Sequence, residues 1–459
     1  MAATVYFDAG FSNTYINTAR DLLIDFANGS YIERGTYFGS PELNQQFDFF
    51  SDSFFIGFGV GNYLAPFMND KFGRRFSLIS MNFAALICAI IRFVSVLFFL
   101  PELLFVGRFL AAIILGIAFP TVVILQQECP PTRLRGALSA SSEIVYSVMC
   151  LLGFLITLPD VFGKSINLLF GVPVGVAVVA FLLTFLVYET PKFLLIERND
   201  REGAERSVKF YHGKNADVDE VLQNIEIEAQ EESPKSSYSD LIKVPELRKA
   251  VFIGIAVLQL IIPSWGFITK GSLFLQNARF TAQEADAILV IAGVGFFFGS
   301  ISCALTVEKF GRRLLLLIGS FSMTTSLILF LIFCLLQQSI DGFKYGCAVC
   351  TVTYFISHGQ IVSITWFFMT ELVAQHHRTN VQSVCNMTHI LTVLLTLLLV
   401  DLFFECIHIW IIVPLYILPN ISCFFYLVLN MPETKNQEIY EIVRKLKGTT
   451  QTPHDALKY

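Results

Sequence analysis

Asp70-Lys-Phe-Gly-Arg-Arg75 returns almost unchanged as Glu308-Lys-Phe-Gly-Arg-Arg313, and each copy sits between two long apolar runs. Two further pairs keep nearly the same offset: Glu128 with Arg135 against Glu371 with Arg378, and Glu189-Thr-Pro-Lys192 against Glu433-Thr-Lys435. The offsets are 308 − 70 = 238, 371 − 128 = 243 and 433 − 189 = 244. Three motifs repeating at about half the chain length describe two copies of one membrane unit, the arrangement of parallel-repeat transporters.

Composition points the same way. With 54% hydrophobic residues, 15% charged, 46 Phe among 459 residues and a mean hydropathy of +0.62, the chain has too little polar surface to coat a water-soluble globule. The Lys and Arg residues stand in short turns between apolar runs and form no basic patch, so nucleic acid is not an expected partner; membrane lipid is. Most of the ten Cys lie inside apolar runs, where they act as small hydrophobes. Cys347 and Cys350 make one CxxC spacing within such a run and read as packing. The absence of a phosphate loop, metal cluster or nucleophile motif leaves no sequence support for an enzyme, a cofactor or a metal site.

Runs of about 20 apolar residues, enough for a helix to cross the hydrocarbon core, fall at 51–68, 77–99, 103–125, 137–158 and 167–188 in the first half. The second half has 250–270, 285–307, 314–336, 346–370, 382–404 and 409–429. Met1 to Leu23, despite Asp8, Asn13, Asn17 and Arg20, is read as a twelfth, shortened span that equalises the halves. The expected layout is an N-terminal six-helix half at 1–188, a linker at 189–249, a C-terminal six-helix half at 250–430 and a tail at 431–459. Short amphipathic helices are expected in the linker near Arg201 to Tyr211 and Val218 to Ala229. Cations crowd alternate turns (Lys71, Arg74, Arg75, Arg133, Arg135, Lys309, Arg312, Arg313, Arg378), while the opposite turns hold only scattered ones (Arg34, Lys164, Arg279, Lys344). Translocation disfavours positive charge, so the crowded turns, the linker and both termini are expected in the cytoplasm. Asn28-Gly-Ser30 is then a glycosylation sequon in the outer loop after helix 1.

These residues together resemble the sugar porter family of the major facilitator superfamily, the group of facilitative hexose transporters. The resemblance rests on the Asp70 to Arg75 and Glu308 to Arg313 turns, Gly107-Arg108, the Glu128/Arg135 and Glu371/Arg378 pairs, Tyr188-Glu-Thr-Pro-Lys192 (the family's PESPR) and Pro432-Glu-Thr-Lys-Asn436 (its PETKG). It implies an all-α membrane protein with the major facilitator fold, 12 transmembrane helices in two six-helix halves, in the plasma membrane. The implied activity is facilitated diffusion of a hexose or related polar solute by alternating access, for which a monomer suffices.

The charges in these motifs have a physical reading of their own. Asp70, Arg74, Arg75, Glu128, Arg135, Glu189, Glu308, Arg312, Arg313, Glu371, Arg378 and Glu433 gather opposite charges at one face, where Arg–carboxylate pairs can latch helices and bias a two-state rocking equilibrium. Topology alone is the alternative role for the arginines. Arg108 is grouped with the gating pairs but lies within a span, as does Glu143, and ionisable groups there face a cavity or a partner. Glu143 either binds solute or a proton, or pairs with Arg108.

Counting along the family pattern places Glu143 at its helix 5 sugar-binding glutamine and Ile262-Pro-Ser-Trp-Gly-Phe-Ile268 at its QQLSGIN stretch, while His389 takes the helix 11 asparagine position and Trp366 is kept. Hydroxyl-rich solutes need paired amide donors and acceptors, and this chain has fewer of them and more aromatic surface. The expected cavity residues are Asn17, Glu143, Gln259, Ser264, Trp265, Gln360, Thr365, Trp366, Asn386 and His389. Two other readings stay open at this level: a carrier of another organic solute or ion, proton-coupled through Glu143, and a transport-silent sensor on the same fold.

Overall fold

Apolar runs without water to satisfy their amides close their hydrogen bonds internally, and in a computed structural model the described residues are helical, with no strand among them. Residues 2–158, 161–162, 165–213, 216–231, 239–373, 375–435, 437, 442 and 446 are described; the side chains of Asp8, Asp70, Arg135 and Arg378, together with Lys164 and residues 447–459, lie outside that set. The first helices are α1 (Ala2–Thr18), α2 (Arg20–Glu33), α3 (Ser40–Phe72), α4 (Arg74–Leu97), α5 (Pro101–Glu128), α6 (Thr132–Ile156) and α7 (Ile166–Thr184). Between the two motif copies come α8 (Arg201–His212), α9 (Val218–Glu231) and α10 (Asp240–Lys243). The later helices are α11 (Pro245–Gln259), α12 (Ile262–Asn277), α13 (Ala282–Phe310), α14 (Arg312–Leu336), α15 (Lys344–Glu371), α16 (Gln375–Ile407) and α17 (Leu418–Asn430).

Nine helical stretches among the described residues are long and apolar enough to cross a membrane, which makes this a multi-pass membrane protein. The other three expected spans fall in α1, α3 and α6, whose polar residues or short apolar stretches keep them below that threshold. Large apolar side chains such as Phe76, Phe83, Phe298, Phe321 and Phe425 face outward, as hydrocarbon solvent permits.

Three spans differ from their expected bounds. The 1–23 run breaks at Ala19 into α1 and α2. The 250–270 run becomes α11 and α12, interrupted at Leu260 and Ile261 ahead of Pro263. Proline lacks the N–H that would continue the helix and collides with the preceding turn; the Asn420 side-chain amide donates to the Leu260 carbonyl at 3.4 Å. The final run, which contains Pro414 and Pro419, starts as a 3-10 turn at His408–Ile411 and a π turn at Val413–Ile417 before α17. Asn28 lies in helix α2 rather than in a loop, and the Ser30 hydroxyl of its sequon is buried and donates to the Phe99 carbonyl.

The duplication visible in the motifs continues into the packing. A Cβ on Gly61 of α3 would lie 2.1 Å from the Ile113 carbonyl oxygen and 2.8 Å from the Gly116 Cα of α5; one on Gly299 of α13 would lie 2.2 Å from the Ile356 oxygen and 3.1 Å from the Gly359 Cα of α15. These glycine pairs sit at the same offsets of 238 and 243 residues (299 − 61 and 359 − 116). Small residues let membrane helices approach to backbone contact, where dispersion replaces the hydrophobic effect as the driving force.

Helices α1–α7 pack mainly on one another, as do α11–α17, and the two sets meet where α6 packs on α13, α3 on α16 and α1 on α12. The expected linker helices appear as α8 and α9, joined by Ala204, Val208 and Leu222 over Leu194 and Leu195.

Candidate functional site

The two Gly-Arg-Arg turns mark what is here the basic end of the molecule. Gly73 (φ 92°) and Gly311 (φ 89°) adopt a backbone that favours glycine, and each is followed at once by a helix, α4 or α14, whose first amides lack intrahelical partners. Glu189 fills that vacancy in the first copy: its carboxylate accepts from the Arg74 N–H at 3.0 Å and the Arg75 N–H at 3.0 Å. Glu433 does the same in the second, accepting from Arg312 N–H at 3.0 Å and Arg313 N–H at 3.1 Å. A Cβ at Gly73 or Gly311 would stand 2.5 or 2.7 Å from those carboxylate oxygens.

This corrects the expected side-chain latch. Glu189 and Glu433 bind backbone amides at a helix N-terminus, where the peptide dipoles favour an anion, so their bonds do not depend on the arginine side chains. Burial raises the Glu189 carboxyl above the usual range, opposed by the N–H groups of Thr190, Arg75 and Arg74. Guanidinium pairs do form with the other acids: Arg74 with Glu128 at 3.1 Å, and Arg312 with Glu308 at 3.1 Å and Glu371 at 3.6 Å. Arg313 donates instead to the Val428 carbonyl at 2.7 Å. Each of these contacts joins helices of one set rather than bridging the two.

Arg108 belongs elsewhere. It is buried, donating to the Ser12 carbonyl at 2.7 Å, the Phe50 carbonyl at 3.2 Å and the Ser51 carbonyl at 3.3 Å, with the rings of Tyr15, Phe50 and Phe54 around its guanidinium. Among the described residues no ion pair joins it to Glu143.

Between the two sets lies a partly open cavity whose empty volume, counted together with the solvent open to it, is about 720 Å3. Its first-set wall is Tyr6, Ala9 and Asn13 of α1, Phe54, Phe55 and Phe58 of α3, Leu115 and Phe119 of α5, and Glu143 and Tyr146 of α6; Ser264, Trp265, His358, Trp366 and His389 face them from the second set. Five of the expected residues therefore line it: Glu143, Ser264, Trp265, Trp366 and His389. Glu143 is 5% exposed, and its Oε2 has no donor among the described residues. Ser264 Oγ lies 2.8 Å from His358 Nδ1 and 2.9 Å from the Tyr354 hydroxyl. Trp265 Nε1 donates to His389 Nε2 at 3.1 Å, which assigns the His389 ring proton to Nδ1. Edge-on contacts of Trp366 with His389 and with Phe119, and of Trp265 with Phe55, complete a mostly aromatic wall.

The other five expected residues are placed away from the cavity. Asn17 clamps α1 to α12, donating to the Ile268 carbonyl at 3.1 Å and accepting from the Ser272 N–H at 3.1 Å. Gln259 donates to Thr392 at 3.1 Å, Gln360 to Ser302 at 3.4 Å and Thr365 to the Val362 carbonyl at 2.7 Å. Asn386 is buried, its Oδ1 has no hydrogen-bond partner among the described residues, and it lies outside the cavity wall. Sequence reading passed over Tyr6, Asn13, Tyr146 and His358. A signal existed for each: Tyr6, Ala9 and Asn13 follow one face of a helix, Tyr146 stands one turn from Glu143, and His358 is an ionisable group deep in an apolar run.

A family profile described as "Sugar (and other) transporter" matches residues 1–446. The chain is 26% identical over 451 residues to facilitated glucose transporter member 7 of solute carrier family 2 from Mus musculus, covering 95% of this chain and 86% of the relative. It is 27% identical over 453 residues to member 5 from Rattus norvegicus, at 95% and 88% coverage. Among solved structures, the proton:xylose symporter XylE bound to 6-bromo-6-deoxy-D-glucose superposes with a TM-score of 0.78 at 17% identity, covering 96% of both chains. The inward open conformation of the xylose transporter XylE from E. coli gives 0.73 at 17% identity, covering 96% of this chain and 97% of that one. That likeness establishes the major facilitator fold.

Proposed function

The chain belongs to the sugar transporter family, and from that premise we propose that it carries a hexose across the plasma membrane by facilitated alternating access. The observation that carries the reading is the cavity at the junction of the two helix sets. It has an aromatic wall against which the apolar faces of a sugar ring can stack, and a few converging polar groups: the Glu143 carboxylate, the Ser264–His358 pair and the Trp265–His389 pair. Such a balance of apolar lining and placed polar groups suits a small ligand. The names of the relatives, facilitated glucose transporters, support a hexose as the solute.

In this reading residues 1–188 and 250–430 are two six-helix halves rocking about the cavity, 189–249 is the linker and 431–459 the tail. The basic end and both termini face the cytoplasm, consistent with the excess of Lys and Arg in its turns. The capped turns and their arginine pairs hold each half rigid, so that rocking is a rigid-body motion.

Uptake of a radiolabelled hexose and polyol panel into cells with verified surface expression tests this. Saturable hexose uptake is expected, with Trp366→Ala and Glu143→Gln each lowering it by roughly tenfold or more, about 1.4 kcal/mol of binding. Hexose-blind transport at full surface expression overturns it.

A further inference from the structure

At the end opposite the Gly-Arg-Arg turns, one lysine is shared across the junction of the helix sets. Lys270 of α12, 7% exposed, places its Nζ 2.9 Å from Asp48 Oδ1 of α3 and 2.5 Å from Asp401 Oδ1 of α16. Asp52, one turn along α3 from Asp48, is 2% exposed and within hydrogen-bonding reach of Asp401. Neither oxygen of Asp52, nor Oδ2 of Asp401, has a donor among the described residues. Two carboxylates cannot bond to each other, because both only accept; a carboxyl and a carboxylate can. Three acids facing one ammonium are also over-charged for a buried site, and like charges this close hold a proton between them.

The other groups that face the cluster do not remove that need. Arg108 of α5 spends bonds on the Phe50 and Ser51 carbonyls beside Asp52. The Tyr416 hydroxyl, packed against Gly266, makes no hydrogen bond to the cluster among the described residues, and Glu405, one turn beyond Asp401, is exposed and adds more negative charge. A metal ion is a poor alternative: Lys270 already supplies the local cation, and among the described residues no group of three or more His, Cys, Asp or Glu is arranged to hold a metal ion.

We propose that this cluster is a proton-binding gate on the outer side: one proton shared by Asp52 and Asp401, beside the Lys270 bridge, holds the outer end closed. The inference rests on the alternating-access reading. When the halves part, Asp52 and Asp401 separate, each regains water, and the proton leaves to the external solution. The proton enters and leaves on the same side, so nothing is carried through, and the transporter remains a uniporter whose outer opening responds to external pH. The closed state binds one proton more than the open state. Acid therefore favours closure, by up to about tenfold per pH unit across the window in which only the closed state holds the proton.

The test is labelling of the full-length protein at the cell surface by a membrane-impermeant maleimide, independent of any solute. A Ser272→Cys variant reports opening, since Ser272 is buried beside the Asn17 clamp; the exposed Cys406 is removed as Cys406→Ser. Rates are divided by those of Cys406 in the parent protein, which cancels the pH dependence of thiol chemistry. Between about pH 8 and about pH 5.5, values that straddle the titration of a shared carboxyl, the normalised rate is expected to fall by about fivefold or more. In Asp52→Asn, whose amide donates to Asp401 permanently, the rate is expected to stay low at both values. Asp401→Asn provides the same reading should Asp52→Asn fail to reach the surface. A wild-type rate that ignores pH, or an acid-induced fall that survives in both asparagine variants, overturns the gate. Hexose-blind uptake with pH-gated labelling would overturn the solute assignment while leaving the gate standing.

Discussion

The two ends of this molecule hold their charges in opposite ways. At the basic end two kinds of pairing are duplicated and stay within one helix set: Glu189 over the α4 amides and Glu433 over the α14 amides, Arg74 with Glu128 and Arg312 with Glu371. At the far end one described bridge crosses between sets, Lys270 of α12 to Asp48 of α3, while Arg34 with Glu102 and Lys344 with Glu284 each stay within a set. Repeated motifs build the parts that must stay rigid in both halves. In the proposed cycle the contact that breaks is asymmetric, a lysine on the second set meeting Asp48 on the first.

Removing Lys270 should expose that contrast most sharply. Lys270→Met leaves Asp48, Asp52 and Asp401 packed together without a cation, and breaking a buried pair from one side costs about 3–5 kcal/mol. Thermal unfolding in detergent should show a large loss, recovered in part by adding Asp401→Asn; a loss below about 1 kcal/mol would place the far end in high-dielectric surroundings.

Next in size are Gly73→Ala and Gly311→Ala. Each combines a positive φ with a collision against a carboxylate, a strain of about 1–3 kcal/mol. Surface abundance should drop by similar amounts in the two variants, and a tolerant Gly311 beside an intolerant Gly73 would break the equivalence of the two turns.

Glu189→Gln and Glu433→Gln keep the shape of the cap but set an amide NH2 against backbone N–H donors in place of one accepting oxygen, for a cost of about 1 kcal/mol each. The sign of the pH effect is set by burial, which raises the Glu189 carboxyl. The folded protein then binds a proton more readily than the unfolded chain, so the Glu189 contribution to stability falls as pH rises from the ordinary carboxylate value through the raised one. Melting temperature against pH should be flatter in Glu189→Gln than in wild type; an unchanged slope refutes the assignment. Neither variant should alter the far-end labelling.

The smallest effect is expected at Gln360, whose one described bond runs to Ser302 away from the cavity. Gln360→Ala should cost on the order of 1 kcal/mol in stability and leave the KM for hexose unchanged. A raised KM would bring Gln360 back to the solute.

Much of the fold was legible because membrane helices announce themselves by length and composition, and because duplication repeats residues at a measurable offset. Even the glycine contacts, Gly61 on Gly116 and Gly299 on Gly359, obey the same offsets once the packing points to them. The breaks between α1 and α2 and between α11 and α12 were less legible: Pro263 carries a local signal, whereas Ala19 carries none. Half of the expected cavity residues turned elsewhere, because residue type within a span does not specify which face of the helix looks inward. Asn17 and Gln259 satisfy neighbouring helices instead of the cavity, since a membrane interior supplies no water to do so.

The amino-acid sequence by itself determined that this is a twofold-repeated helical membrane chain with basic turns at one end, since hydropathy and repetition are properties of the chain read one residue after another. Only the tertiary structure decided that Glu189 and Glu433 cap helices and that Lys270 meets Asp48 and Asp401. Those partners are far apart along the chain, and a long-range contact between charged side chains leaves no local pattern; it exists only once helix packing has brought the two faces together.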